Sequence, residues 1–386
     1  MGTNEENTHP YTWHGFLLYF LRLGTFGFGG PIALAGYMQR DLVEKRGWIT
    51  PEEYKEGLAL AQLAPGPLAA QLAIYLGWLR GGFLMATAVS AAFILPSFLM
   101  VLAIAWLYIR FEGLAVLQAL FYGIGATVIA IIANSAYKLV GRTIRKDVLL
   151  WFLFSASASV TAWYETEYIG LFVVSGMIAM LVKAPPARLL GTPAFMSTPA
   201  WLLSGMHGPA TTKALWDILL FFSKAGAVVF GSGLAIVPFL HGGVVNEYHW
   251  LTEREFIDAV AVAMITPGPV VITVAFIGAL VGGLAGAVLA AAGVFLPCYL
   301  VVVLAAPYYQ SLAKNSQIKA AVEGVTASAI GAIAGSVIVL GNRSVFDIPT
   351  VLIFIASLVV VFRFKKIPEP ALIAAGGAIG LLLRLA

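Results

Sequence analysis

One skeleton of residues occurs twice along this chain at a fixed separation. Gly24, Phe28, Gly29, Trp48, Thr50, Glu53, Pro65, Gly66 and Pro67 recur as Gly226, Phe230, Gly231, Trp250, Thr252, Glu255, Pro267, Gly268 and Pro269, every pair 202 residues apart. A constant offset with no gap between the first and last pair means two homologous halves, so the two halves must share one fold. The repeats are assigned to residues 1–183 and 214–386, joined at 184–213 by a linker rich in Pro, Gly, Ser and Thr.

The medium in which that fold forms follows from the charge distribution. Phe83–Ile109 runs for 27 residues without a charge, Leu114–Tyr137 for 24 and Val325–Asn342 for 18. Uncharged apolar runs of about 18 or more are membrane-span candidates. Only 11% of the residues are charged, against about 25% in a soluble domain. The expected fold is therefore an all-α polytopic integral membrane protein. The net charge of +4 is carried in short loops, which fits orientation in a lipid bilayer and argues against nucleic-acid binding. A single cysteine, Cys298, excludes an internal disulfide framework and reads as a small packed side chain.

Each half shows the same order of segments. An apolar helix is broken at Gly27–Pro31, or at Gly231–Gly233 in the second half. A charged loop follows, then two short helical pieces around Pro65-Gly66-Pro67 or Pro267-Gly268-Pro269, then further apolar spans. Lys and Arg mark loops 138–146 and 363–366 as cytoplasmic, while the acidic loop at 164–168 falls outside. On this reading corresponding loops lie on opposite sides. The repeats are then inverted, each with about five transmembrane helices plus a re-entrant Pro-Gly-Pro helical hairpin. The rival count treats residues 53–78 as one broken span and makes the repeats parallel.

Matched breaks in corresponding helices point to a binding site at the repeat interface. In lipid, freed backbone groups are tolerated only when buried in protein or lining a wet cavity. This selects Gly29, Gly30, Pro31, Gly231, Ser232 and Gly233 as site residues, with close helix packing as the alternative. The Pro-Gly-Pro elements add Pro65, Gly66, Pro67, Pro267, Gly268 and Pro269. Helices starting after those turns present free N–H groups and a positive dipole end, an anion site without formal charge. Gln62 and Gln71 flank the first turn and Thr266 and Thr273 the second, as hydrogen-bond donors to an oxyanion. Arg22 and Lys224, matched at the same offset inside apolar helices, supply charge in this reading, with snorkelling to the headgroups as the alternative. Glu53 and Glu255 are proton-coupling candidates, with a solvated loop face as the alternative. Glu56 corresponds to Asp258. Gly278, Gly282 and Gly286 read as a small-residue packing seam. No metal-ligand spacing, nucleophile with its base, phosphate loop or cofactor motif occurs, so neither an enzyme nor a cofactor is expected.

Phe26-Gly27-Phe28-Gly29-Gly30-Pro31, Trp48-Ile49-Thr50 and Leu63-Ala64-Pro65-Gly66-Pro67, with their partners including Thr266-Pro267-Gly268-Pro269, resemble the chromate ion transporter family in its long, two-domain form. The resemblance covers essentially the whole chain. It implies a multi-pass protein of the inner (plasma) membrane that exports chromate from the cytoplasm as a secondary transporter and confers chromate resistance, with sulfate as analogue or competitor. Short-form members carry one such half per polypeptide and work as pairs. Sulfate or another oxyanion as substrate, and a passive anion channel, are the alternatives, and homo-oligomer formation is left open. Gly233 stands where the first repeat has Pro31, so the two halves need not contribute equally to the site.

Overall fold

A computed structural model describes residues 12–28, 30–111, 115–165, 169–184, 212–228, 230–231, 236–308, 315–364 and 367–385. The first repeat contains α1 (Trp13–Phe26), α2 (Gly30–Met38, continued as a wider π-turn to Lys45), α3 (Pro51–Leu63), α4 (Leu68–Phe111), α5 (Ala115–Thr143), α6 (Val148–Tyr164) and α7 (Ile169–Lys183). The second repeats the order. It has α8 (Thr212–Val228), α9 (Ile236–His241, continued to Glu247), α10 (Glu253–Ile265), α11 (Thr273–Ala305), α12 (Ser316–Ser344), α13 (Ile348–Arg363) and α14 (Glu369–Leu385). Among the described residues, the only strand pairing is a two-residue parallel bridge between Gly66–Pro67 (β1) and Phe230–Gly231 (β2).

Four segments are long and apolar enough to cross a membrane, at 68–111, 118–141, 270–308 and 316–344. Their outer faces carry exposed Leu95, Leu99, Trp106, Leu296 and Leu304, the surface that lipid covers. α6, α7 and α13 are apolar but shorter; α6, with 17 residues, is at the lower edge of what a bilayer requires, and α7 and α13, with 15 and 16, fall below it.

The longest helices are not straight. α4 reverses at Gly81–Gly82, where Gly82 has φ +59°. A Cβ on Gly77 would stand 2.9 Å from the Met85 carbonyl oxygen and 3.0 Å from Val89 Cβ. In a continuous helix residues 77 and 89 would be about 18 Å apart, so the two arms lie side by side. α11 does the same at Gly282–Gly283, bringing Gly278 against Gly286. Of the small-residue seam read from the sequence, Gly278 and Gly286 are thus the contact between two arms of one helix, while Gly282 lies at the bend and faces Leu215 and Ile218 of α8.

α3 runs antiparallel to the first arm of α4. Arg80 Nη1 and Nη2 bond Glu53 at 3.1 and 2.5 Å, Arg80 Nε donates to the Trp48 carbonyl at 3.0 Å, and Tyr75 Oη donates to Glu56 at 3.4 Å. α3 starts with a capping box. Thr50 Oγ1 accepts from Glu53 N at 3.2 Å while Glu53 Oε2 accepts from Thr50 N at 2.8 Å. Thr252 and Glu255 repeat it at α10. Glu53 therefore serves both a cap and an ion pair, whereas Glu255 bonds only Thr252 among the described residues. Glu53→Ala is expected to cost about 1–3 kcal/mol, and Glu255→Ala about 1 kcal/mol. Thermal unfolding of the detergent-solubilised protein checks the order of the two.

The repeats interleave. α12 of the second repeat lies along α6 and α7 of the first, while α13 and α14 lie along α5. The approach is close: Gly324 faces the Ser175 carbonyl, Gly331 that of Phe154, and Gly123 that of Gly376. One apolar core runs through both repeats, joining Phe16, Phe20 and Phe93 to Phe222, Phe256 and Phe276.

Candidate functional site

The two Pro-Gly-Pro tips meet the helix breaks of the opposite repeat. Gly66 and Pro67, between α3 and α4, pair in parallel with Phe230 and Gly231, the break after α8. Reciprocally, Gly268 N donates to the carbonyl of Gly27, the break after α1, at 2.9 Å. Gly66 (φ +130°) abuts Cys298, and a Cβ on Gly268 (φ +101°) would come 2.8 Å from Ser97 Oγ. Ser97 and Cys298 follow the matched prolines Pro96 and Pro297, so the junction carries the internal two-fold relation of the sequence. Pro67, Pro267 and Pro269 are buried and Pro65 half-buried. The first N–H groups of α4 and of the 3-10 turn Val270–Ile272 start from these buried tips, and such groups have no acceptor within their own helix.

The structure brings each tip to a helix break of the other repeat, a pairing that the motifs do not specify. Gly30 opens α2 at φ +75° with Pro31 half-buried beside it. Gly29, Ser232 and Gly233 lie outside the described residues.

The flanking polar residues behave differently from expectation. Gln71 is fully buried, but its Nε2 is committed to the Pro65 carbonyl at 2.5 Å, and its Oε1 has no partner among the described residues. Its role here is to hold the tip rather than to face an anion. Thr266 Oγ1 donates to the Val262 carbonyl and Thr273 Oγ1 to that of Val270 at 2.7 Å. Short hydroxyl side chains in a helix turn back onto the carbonyl three or four residues earlier, so these hydrogens are already used. Gln62 is exposed at the end of α3.

Arg22 and Lys224 are exposed and do not join the buried tips. Arg22 shares its stripe of α1 with exposed Leu18 and Phe26, and Lys224 shares its stripe of α8 with Trp216 and Leu220. Residues four apart lie on one helix face, and here that face is the outer one. Glu53 and Glu255, expected as proton carriers, are occupied as helix caps.

A feature absent from the sequence reading is a cavity of about 380 Å³ between α5, α10, α12 and α14. Arg254, Arg343, Arg384, Tyr122 and Asp258 line it. Asp258, only 3% exposed, accepts from Tyr108 Oη on α4 at 2.7 Å. The sole sequence signal was its match to Glu56, since the three arginines are scattered over 130 residues of chain (254 to 384) and share no motif. No group of three or more His, Cys, Asp or Glu side chains able to hold a metal occurs among the described residues.

A family model described as chromate transporter matches residues 15–182 and again residues 216–381. The chain is 58% identical over 374 residues to a chromate transport protein of Cupriavidus metallidurans, covering 96% of this chain and 93% of that protein. It is 51% identical over 381 residues to a probable chromate transport protein of Synechococcus elongatus, covering 97% of each. A chromate transport protein of Pseudomonas aeruginosa is 29% identical over 401 residues, covering 99% of this chain and 95% of that protein. No solved structure gives a significant match.

Proposed function

Because the chain belongs to the chromate transporter family, we propose that it is a secondary transporter exporting chromate across the inner membrane, with the dianion held between the two repeats. The observation that carries this reading is the crossed junction, in which each repeat's tip is bound by the other's helix break. Two helix N-termini, one from each repeat, then start at buried tips bound to the opposite repeat, where their N–H groups and dipoles favour negative charge. An oxyanion bound there touches both repeats, and rocking of one against the other alternates its access.

The membrane arrangement in this reading is inverted. Lys183 of α7 bonds Asp147 at 2.5 Å and Glu323 of α12 at 2.8 Å, and the Lys183 ammonium holds the Asp147 carboxyl below the usual carboxylate range. Their counterparts in the second repeat, Arg384 and Asp347, lie beside Tyr122, to whose oxygen Asp347 bonds at 2.5 Å. Glu323 is near the start of α12, and Asp347 follows its end. Twenty residues of helix separate Glu323 from Arg343, about 30 Å, which is the thickness of the hydrocarbon core. The separation of Asp147 and Lys183 from their counterparts Asp347 and Arg384 along α12 supports the inverted reading. α3 and α10 have 13 residues each, about 20 Å, too short to span. This favours re-entrant hairpins over broken spans.

The test is uptake of radiolabelled chromate by proteoliposomes containing the full-length protein. Under an imposed pH or sulfate gradient, chromate is expected to accumulate beyond its equilibrium distribution, with excess sulfate competing. Flux that only ever runs downhill would replace the carrier by a channel.

A further inference from the structure

We propose that the arginine-lined cavity between α5, α10, α12 and α14 is a second oxyanion-binding site, a vestibule in which Arg254 and Arg384 hold a tetrahedral dianion before it reaches the crossed tips. This inference rests on the reading of the chain as an oxyanion carrier. It assigns a site that the family resemblance and the sequence motifs do not contain.

The arginines divide by their partners. Arg343 is bound by Glu165 and Glu253 and lies 3.3 Å from His241 Nε2, so it ties α12 to α10 and to the end of α6. Arg384 stacks over the Tyr122 ring with its guanidinium carbon 4.3 Å from the centroid, near the Asp347 carboxylate that accepts from Tyr122 Oη. Arg254 has no hydrogen bond or ion pair among the described residues and lines the cavity one turn before Asp258. A guanidinium presents a planar fork of donors that matches the edge of an oxyanion. Two such groups facing one space of about 380 Å³ leave room for a tetrahedral dianion with part of its water.

The position is special to one end of the fold. The counterparts of Arg254 and Tyr122 in the other repeat are Glu52 and Glu323, and the counterpart of Arg384 is Lys183. Lys183 is neutralised there by Asp147 and Glu323. Where this cavity has Arg254 and Tyr122 beside Glu253 and Asp258, the other end has Glu52 and Glu323. α10 links the cavity to the site, because it runs from Glu253 and Arg254 at the cavity wall to Thr266 at the second Pro-Gly-Pro tip. Buried Asp258 sits on that path and accepts a hydrogen bond from Tyr108 of α4.

The experiment measures initial chromate flux against chromate concentration for the full-length protein in proteoliposomes, at low and at high salt. Arg254→Gln combined with Arg384→Gln is expected to raise the half-saturating concentration by about tenfold or more while the maximal rate stays within about twofold. The dependence on salt should weaken as well, since screening acts on exposed charges. Arg254→Lys with Arg384→Lys should recover much of the loss, and Arg40→Gln, on a distant surface pair with Asp41, should change nothing. Arg254 is exposed on the first turn of α10 and makes no hydrogen bond or ion pair among the described residues, so Arg254→Gln alone is expected to keep the fold and to show part of the effect. Normal saturation and salt dependence in the double glutamine variant would overturn the vestibule and leave the carrier intact. Absence of chromate and sulfate flux in the unmodified protein would overturn the carrier reading and this inference with it.

Discussion

Gly66→Ala is expected to reduce chromate flux by at least about tenfold in protein that still reaches the membrane. Two independent costs meet at this position. The backbone has φ +130°, a region in which an L side chain is strained by about 1–3 kcal/mol. The added Cβ would also overlap Cys298 Cβ, which is fully buried on the second repeat. Neither atom is the end of a flexible chain, so relief requires movement of the tip away from Phe230 and Gly231. Since every unit of about 1.4 kcal/mol is a factor of ten, the two costs together bring flux close to background. The double variant Gly66→Ala with Cys298→Gly removes the overlap and keeps the backbone strain, so it should recover part of the flux. Gly268→Ala should lose less, because its Cβ would stand 2.8 Å from Ser97 Oγ and 2.9 Å from Ser97 Cβ, a wider approach than that of Gly66 to Cys298 Cβ. Flux within twofold of the unmodified protein for Gly66→Ala would show that the crossed tips lie off the transport path.

Fragments 1–183 and 214–386 are expected not to accumulate when each is made alone and to restore chromate flux when made together. The basis is the exchange of outer helices. Without the second repeat, α6 and α7 lose α12, and α5 loses α13 and α14. The exposed surface would include Gly123 and the carbonyls of Phe154 and Ser175, groups now in tight helix contact. Small-residue contacts of this kind are what holds helices together where lipid supplies no hydrophobic drive. The cut falls in 184–213 and trims only Thr212 and Lys213 from the start of α8. Membrane fractionation of each fragment, followed by flux in cells carrying both, decides the matter. A stable, monomeric fragment 1–183 would contradict the interleaving.

Much of this architecture was legible because it was stated twice. The offset that matches Pro65-Gly66-Pro67 with Pro267-Gly268-Pro269 also matches the capping boxes of α3 and α10 and the breaks after α1 and α8. Local chemistry is strong at those positions, since a glycine between prolines or a Thr-x-x-Glu pair has few conformations open to it. The apolar runs likewise gave α5 and α12 within a few residues. The partner of each tip was not legible, because pairing across repeats leaves no local signature. The cavity escaped for a related reason. Arg254, Arg343 and Arg384 belong to three helices whose juxtaposition depends on α14 lying along α5. Arg22 and Lys224 misled because a matched ionisable pair inside apolar helices gives the residue but not the helix face. The neighbours Leu18, Phe26, Trp216 and Leu220 were the available clue, being apolar yet exposed.

The reciprocal attachment of tips and breaks has a mechanical consequence. Gly66 and Pro67 are fastened to the second repeat and Gly268 to the first, so the molecule is closed by a double latch with one half on each side. A rigid displacement of one repeat against the other strains both fastenings together, and neither can be released alone. Each backbone bond contributes only about 1 kcal/mol net, so the pair holds the closed form without locking it. Such a latch can open on the microsecond-to-millisecond scale of collective helix motions. A bound dianion that draws the same N–H groups toward itself would loosen one fastening and, through the rigid repeats, the other.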